Sequence, residues 1–335
     1  MNKIERLDAV LEGRQPDRPP VSFWYHFDEA CASGDAAVEA HVRHMEIYDL
    51  DFLKIMDDNR YPRIGLQNGV ISKTADLEKL PLLDGSEDRF ALQLELIEAL
   101  VQRYRGEFRM ITTVFNPWTV LRQMTSPESG QHMPPVIGRS GDSRDMALSS
   151  FLREAPEALA QALNTITRSS ISFIGKCLDA GVDGIFFSVR DDWVDVPVNG
   201  EGVYDRLVKP CDLEILGAVR NGAFNILHVC GEPVNFRRFG DYPVQAVNWA
   251  DRYGGPSIAS TTGWMKPAIC AGLDNLGTLA SGSPDDCEKE AADALQQAGN
   301  RPIILAPGCT FAPESVPAEN LHAIRQFVEK IASNV

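Results

Sequence analysis

Short apolar runs rich in β-branched and aromatic residues recur along the chain. They alternate with longer stretches whose apolar positions return at helical spacing, the pattern of parallel strand–helix–strand units. Candidate strands lie at 20–24, 51–56, 109–115, 184–189, 224–229, 244–249, 268–273 and 302–306. This set predicts an α/β fold, a closed (β/α)8 TIM barrel, with an open doubly wound sheet as the other way to arrange the same elements. Between the strands, 92–104 (LQLELIEALVQRY) reads as an amphipathic helix. A second helix spans 156–180, opening on Pro156 and stopping before Gly181, a C-terminal cap. A third, over 283–297, opens SPDDCEKE, with Ser at the cap, Pro at the first position and acids at the positive helix end. An amphipathic helix at 317–332 follows the last strand. The opening MNKIERLDAVLEGRQPDRPP predicts an N-terminal helical extension leading through prolines into the first strand.

The stretch 125–145 breaks this rhythm. It is rich in Pro, Gly and Ser and is expected to be a surface insertion, or a cover over the barrel mouth, within 116–150. At 335 residues, 44% hydrophobic and 24% charged, the chain suits one large domain spanning 1–335. A formal net charge of −15 argues against nucleic-acid binding, which needs clustered Lys and Arg. Neither a membrane-length apolar run nor a secretory signal core is read, so the expected location is cytoplasmic. Seven cysteines then read as reduced thiols rather than a disulfide framework. Cys31, Cys177, Cys211, Cys270 and Cys287 fit as small hydrophobes.

The other two cysteines stand in chemically loaded surroundings. His228-Val229-Cys230-Gly231 ends the apolar run FNILHV, and residues two apart on a strand point the same way. Pro307-Gly308-Cys309-Thr310 follows the run PIILA. One imidazole and two thiolates at strand ends are a Zn²⁺ ligand set, and three protein ligands leave a fourth position for substrate. A His and a Cys two apart also occur as ordinary core residues; a second Cys at another strand end is what singles this set out.

Further segments carry a family resemblance. ERLDAVLEGRQPDRPPVSFW at the start, VFNPWTVLRQM at 114–124, GVDGIFFSV at 181–189, AGLDN at 271–275 and PGCTFAPESVPAENLHAI at 307–324 resemble the uroporphyrinogen decarboxylase superfamily, end to end. Within it, the His-x-Cys pair followed by a late Cys is similar to the zinc-dependent corrinoid methyltransferases, including those acting on methylcobalamin and coenzyme M. The decarboxylases carry Arg-Gln-Ala-Gly-Arg-Tyr after the first strand, where this chain has Phe23-Trp24-Tyr25-His26-Phe27. The resemblance implies a methyltransferase using Zn²⁺ held by His228, Cys230 and Cys309, with cobalamin or another corrinoid as co-substrate.

No cobalamin-binding segment is read in the chain, so a separate corrinoid-binding protein is the expected partner beside a small-molecule substrate. A homodimer is left open. Asp251 is placed near the metal or on the surface. Asn116, Trp118 and Asp274 are assigned to the cofactor side. Trp24, His26, Asp57, Phe187, Asp192 and Trp249 are assigned to the substrate side, although such rings equally fill core or rim. The direction of methyl transfer stays open, as do a thiol acceptor and a methoxylated or methylated donor. The competing functions are a decarboxylase-like lyase and a non-catalytic corrinoid- or zinc-binding barrel.

Overall fold

A computed structural model describes residues 1–127 and 141–333. Its strands are β1 Phe52–Ile55, β2 Arg109–Phe115, β3 Gly184–Arg190, β4 Ile226–Cys230, β5 Ala246–Trp249, β6 Ala268–Leu273 and β7 Ile303–Pro307. Each pairs in parallel with its successor in chain order. A doubly wound sheet reverses its strand order at a switch point. The described sheet has no reversal, so the architecture is TIM-barrel-like.

The segment expected as a first strand, 20–24, does not form a regular one. It makes isolated parallel bridges, Val21 to Leu305 and Tyr25 to Phe311. On the β7 side, Leu305 N donates to Pro20 O at 2.9 Å and Ser22 N to Leu305 O at 3.2 Å; on the β1 side, Asp51 N donates to Val21 O at 2.9 Å. The physical reason is a shortage of ladder donors. Pro19 and Pro20 have no N–H, and the Val21 N–H goes to the Asp51 carboxylate at 2.8 Å rather than to a strand carbonyl.

That carboxylate is fully buried and does more than end a ladder. It accepts from Arg6 Nη1 at 2.8 Å and from Arg18 Nη1 and Nη2 at 2.7 and 3.1 Å. Arg6 belongs to the helix Lys3–Leu11, so one side chain joins that helix, the irregular segment and the start of β1. Leu7 and Val10 of the same helix pack with Phe52 and Phe224 in the inner cluster.

Strand residues divide by parity. Phe186 and Ile226 face the inner cluster with Trp24, whereas Ile185, Phe187, Leu227 and Val229 pack outward against helices. The principal helices expected from sequence are present. Arg89–Tyr104 and Pro156–Ala180 cover the outside, the latter ending at Gly181 with a left-handed φ of 110°. Pro284–Ala298 has the reciprocal Ser283–Asp286 cap, and Ala318–Ala332 follows β7. Most of the proposed insertion, residues 128–140, lies outside the described residues. Among the described residues, no helix is long and apolar enough to cross a membrane.

Asp51→Ala removes the shared partner of two buried guanidiniums. It is expected to lower unfolding free energy by about 3–5 kcal/mol in chemical denaturation, and a loss under about 1 kcal/mol would contradict this role.

Candidate metal centre

The inner face of β4 ends in His228 and Cys230, two residues apart. Cys309 stands two residues beyond β7. The intervening Gly308 is required by a close approach, because a Cβ there would lie 2.6 Å from Ala250 Cα. Gly231 turns the chain away after Cys230 with φ 111°. The outcome is convergence: the ligand atoms of His228, Cys230 and Cys309 lie within 4.8 Å of one another. Cys309 Sγ is 3.6 Å from His228 Nε2. Nitrogen and sulfur ligands at roughly 2.0 and 2.3 Å from a tetrahedral zinc stand about 3.5 Å apart, so this spacing fits a shared ion.

Which imidazole nitrogen is available follows from Asn248, a residue that sequence reasoning did not single out. Its Nδ2 donates to Cys270 O at 2.7 Å and Pro307 O at 3.0 Å. These two carbonyls fix the amide orientation, so Oδ1 must be the atom facing His228 Nδ1 at 2.6 Å. An amide oxygen only accepts. Nδ1 therefore carries a proton, and Nε2 is the nitrogen that faces Cys309. Such a hydrogen bond to the distal nitrogen is the usual way a protein orients a histidine ligand.

A hydrogen bond from the Cys230 thiol brings the Cys309 thiol down to about 7 against the opposing effect of burial. The same bond, with burial, raises Cys230. Val234, Trp249 and Tyr253 wall a narrow cavity behind the ligands. Tyr253 is held by its hydroxyl, which donates to Asn275 Oδ1 at 2.8 Å. Phe186 stacks on the His228 ring at 5.3 Å from below.

The other residues proposed from sequence fall into two groups. Trp24 lies in the barrel interior, 5.3 Å from Phe186 between ring centroids. Asp192 pairs with Arg190 at 2.6 Å and abuts the Gly231 turn, where an added Cβ would come within 2.7 Å of it. His26 is part-exposed, its Nδ1 2.5 Å from Asp58 Oδ1. Asp251 accepts from Gly272 N at 2.9 Å and faces Arg252 at 3.2 Å; burial pushes its carboxyl up to about 6, and it is not one of the three converging donors. Trp249 belongs to the outer cluster, but its edge reaches the cavity behind the ligands.

The second group is engaged by the fold. Asn116 caps the helix Pro117–Met124, accepting from Thr119 N at 3.0 Å while its amide donates to Asp212 at 3.1 Å, so both polar ends are occupied. Trp118 is buried in the outer core. Asp274 accepts from Leu276 N and Gly277 N at 3.0 and 2.9 Å and shapes the turn after β6. Asp57 accepts from Arg60 N at 2.9 Å and borders a small cavity with Tyr61 and Phe90; burial raises it to about 7. Phe187 faces the helices, and its neighbour Phe186 is the ring that faces the interior.

The class is thus a TIM-barrel-like protein whose strand ends present a His-Cys-Cys donor group at the mouth, where this architecture carries its chemistry. Residues 55–331 match the uroporphyrinogen decarboxylase (URO-D) family, and the chain belongs to it. Methylcobamide:CoM methyltransferase MtbA of Methanosarcina acetivorans is 24% identical over 255 residues, 75% of this chain and 67% of that protein. Uroporphyrinogen decarboxylase of Syntrophotalea carbinolica is 22% identical over 323 residues, 92% of this chain and 88% of its own length. Among solved structures, a methyltransferase from Methanosarcina mazei superposes with a TM-score of 0.72 at 19% identity, covering 98% of this chain and 99% of its own.

Asn248→Ala frees the His228 ring to rotate and change tautomer. Metal affinity is expected to fall about 10–100-fold in competition with a chromophoric chelator, and an unchanged affinity would contradict the orienting role.

Proposed function

We propose that this chain is a zinc-dependent methyltransferase that moves a methyl group between a corrinoid and a small substrate. The observation that carries the reading is the convergence of one imidazole nitrogen and two sulfurs at the C-terminal mouth of the barrel. Such a soft donor set suits Zn²⁺, and three protein ligands leave a position for a substrate atom. Similarity to a methylcobamide:CoM methyltransferase supports the corrinoid as co-substrate. His228 and the two thiolates would hold the ion, with Asn248 setting the imidazole. A bound zinc would keep a substrate thiol ionised and nucleophilic, or act as a Lewis acid on an ether oxygen or amine.

The C-terminal mouth, where Asp192 abuts the Gly231 turn, is where the substrate and the methyl group would be brought in line, with His26 and Trp24 as candidate contacts. The corrinoid would arrive free or on a separate corrinoid-binding protein, in the cytoplasm. Decarboxylation of a porphyrinogen fits less well. Several substrate carboxylates need cationic clamps, and the segment Phe23–Phe27 offers packed rings, with Phe23, Trp24 and Phe27 buried.

Purified protein is expected to carry zinc and to transfer methyl between methylcobalamin and one of a panel of thiols and methoxyarenes. Chelation and Cys309→Ala should each abolish transfer while leaving the folded circular dichroism spectrum intact. Equal activity in zinc-free protein would overturn the proposal, and turnover of uroporphyrinogen would replace it with the lyase.

A further inference from the structure

The ladder between β6 and β7 stops short of the third donor. Its last pair is Leu273 with Pro307, and Gly308 N donates to Leu273 O at 3.1 Å. Cys309 lies one residue further on, so strand pairing alone does not fix its sulfur. His228 and Cys230 differ in this respect, because both sit inside the β3–β4 register, opposite Ser188 and Arg190.

Asn275 takes over where the ladder ends. It follows β6 and is 1% exposed. Its Nδ2 donates at 2.9 Å to Thr310 O, the carbonyl one residue past Cys309. A carbonyl only accepts, so the amide nitrogen must face Thr310 and Oδ1 must face Tyr253. The Tyr253 hydroxyl donates to that oxygen at 2.8 Å, which locks the amide from its other side. Tyr253 in turn walls the narrow cavity bordered by His228, Cys230 and Cys309. The turn that carries Asn275 is itself tied down. Asp274 accepts from the Leu276 and Gly277 amides, and its own N–H donates to Glu290 at 2.8 Å. Thr310, held by its carbonyl, keeps its hydroxyl oxygen 3.9 Å from Cys309 Sγ.

We propose that Asn275 is a positioning residue that holds Cys309 in the donor group, with Tyr253 fixing the orientation of its amide. Asn248 ties the carbonyl of Pro307, two residues before Cys309. The turn that carries the sulfur is thus pinned by a buried amide on each side. Loss of the Asn275 bond leaves the Thr310 carbonyl without its donor and releases the far side of that turn. Cys309 moves with it, while the β4 donors stay in place. This inference rests on the metal-site reading above and names the residue that completes its third ligand.

The test loads the full chain with Co²⁺, whose sulfur-to-cobalt absorption follows the number of bound sulfurs. Wild type is expected to show two sulfurs and Cys309→Ala one. In Asn275→Ala the absorption should fall by about half, to the level of Cys309→Ala. Asn275→Asp keeps the size and the Tyr253 bond but sets a carboxylate oxygen against the Thr310 carbonyl, so it should match Asn275→Ala. Tyr253→Phe unlocks the amide without removing its donor and should fall between wild type and Asn275→Ala. A merely structural role lowers the unfolding midpoint and leaves the absorption of the folded protein alone. Unchanged absorption in folded Asn275→Ala and Asn275→Asp therefore overturns the inference. Should neither of these fold, Tyr253→Phe decides, and absorption equal to wild type refutes the clamp.

A wild-type chain that takes up no cobalt overturns the metal-site reading itself. Phenylarsine oxide, which bridges two neighbouring sulfurs with loss of one water, then decides the role of Asn275. Wild type should be bridged across Cys230 and Cys309 in peptide mass spectra, and Asn275→Ala should not. Equal bridging in both overturns the inference.

Discussion

The amide of Asn248 links four strands. From β5 it accepts from the His228 imidazole of β4 at 2.6 Å and donates to the carbonyls of Cys270 on β6 and Pro307 on β7 at 2.7 and 3.0 Å. Those contacts hold the last turn of β7, and with it Gly308 and Cys309, against the strand that carries His228 and Cys230. They also set the orientation of the ring: with Oδ1 committed to Nδ1–H, Nε2 is the nitrogen turned toward Cys309. A fully satisfied polar group in a dry interior is rigid, since each alternative arrangement leaves a buried donor or acceptor unpaired. The donor geometry at the mouth thus depends on a residue that is not itself a ligand.

A second polar cluster does the corresponding work at the opposite end. Asp51 gathers Arg6, Arg18 and the Val21 backbone, so the segment between β7 and β1 is held by a carboxylate where a strand ladder would otherwise hold it. Both ends use the same physics, a buried acceptor or amide with every partner in place. Between them lies an apolar interior of Trp24, Phe52, Phe186 and Phe224. Lys54 holds its ammonium over Phe186 in that low-polarity layer, where charges are screened far less than in water.

Much of this could be read from the chain. The strand positions followed from apolar runs, and the spacing of His228 and Cys230 put them on one face. The third donor, Cys309, stands out through its place after PIILA. What escaped has definite causes. Strands of a parallel barrel are buried on both faces, so their runs carry no polar alternation to set the phase; hence the sequence points to Phe187 for the substrate side, whereas Phe186 is the ring that faces inward. Asn248 and Lys54 are single polar residues inside such runs, and their partners are carbonyls, rings and a sulfur that no local pattern announces. Asn116 and Asp274 look like site residues because they follow strands, yet short polar side chains in that position also cap helices and shape turns. The first strand was predicted from its apolar character, and prolines with a competing carboxylate prevented its ladder.

X-ray absorption at the zinc edge tests the central claim most directly. The account predicts stoichiometric zinc whose shell contains two sulfurs near ~2.3 Å and one imidazole nitrogen near ~2.0 Å, with room for one further ligand. A shell of oxygen ligands alone, or protein that retains no metal, would contradict it.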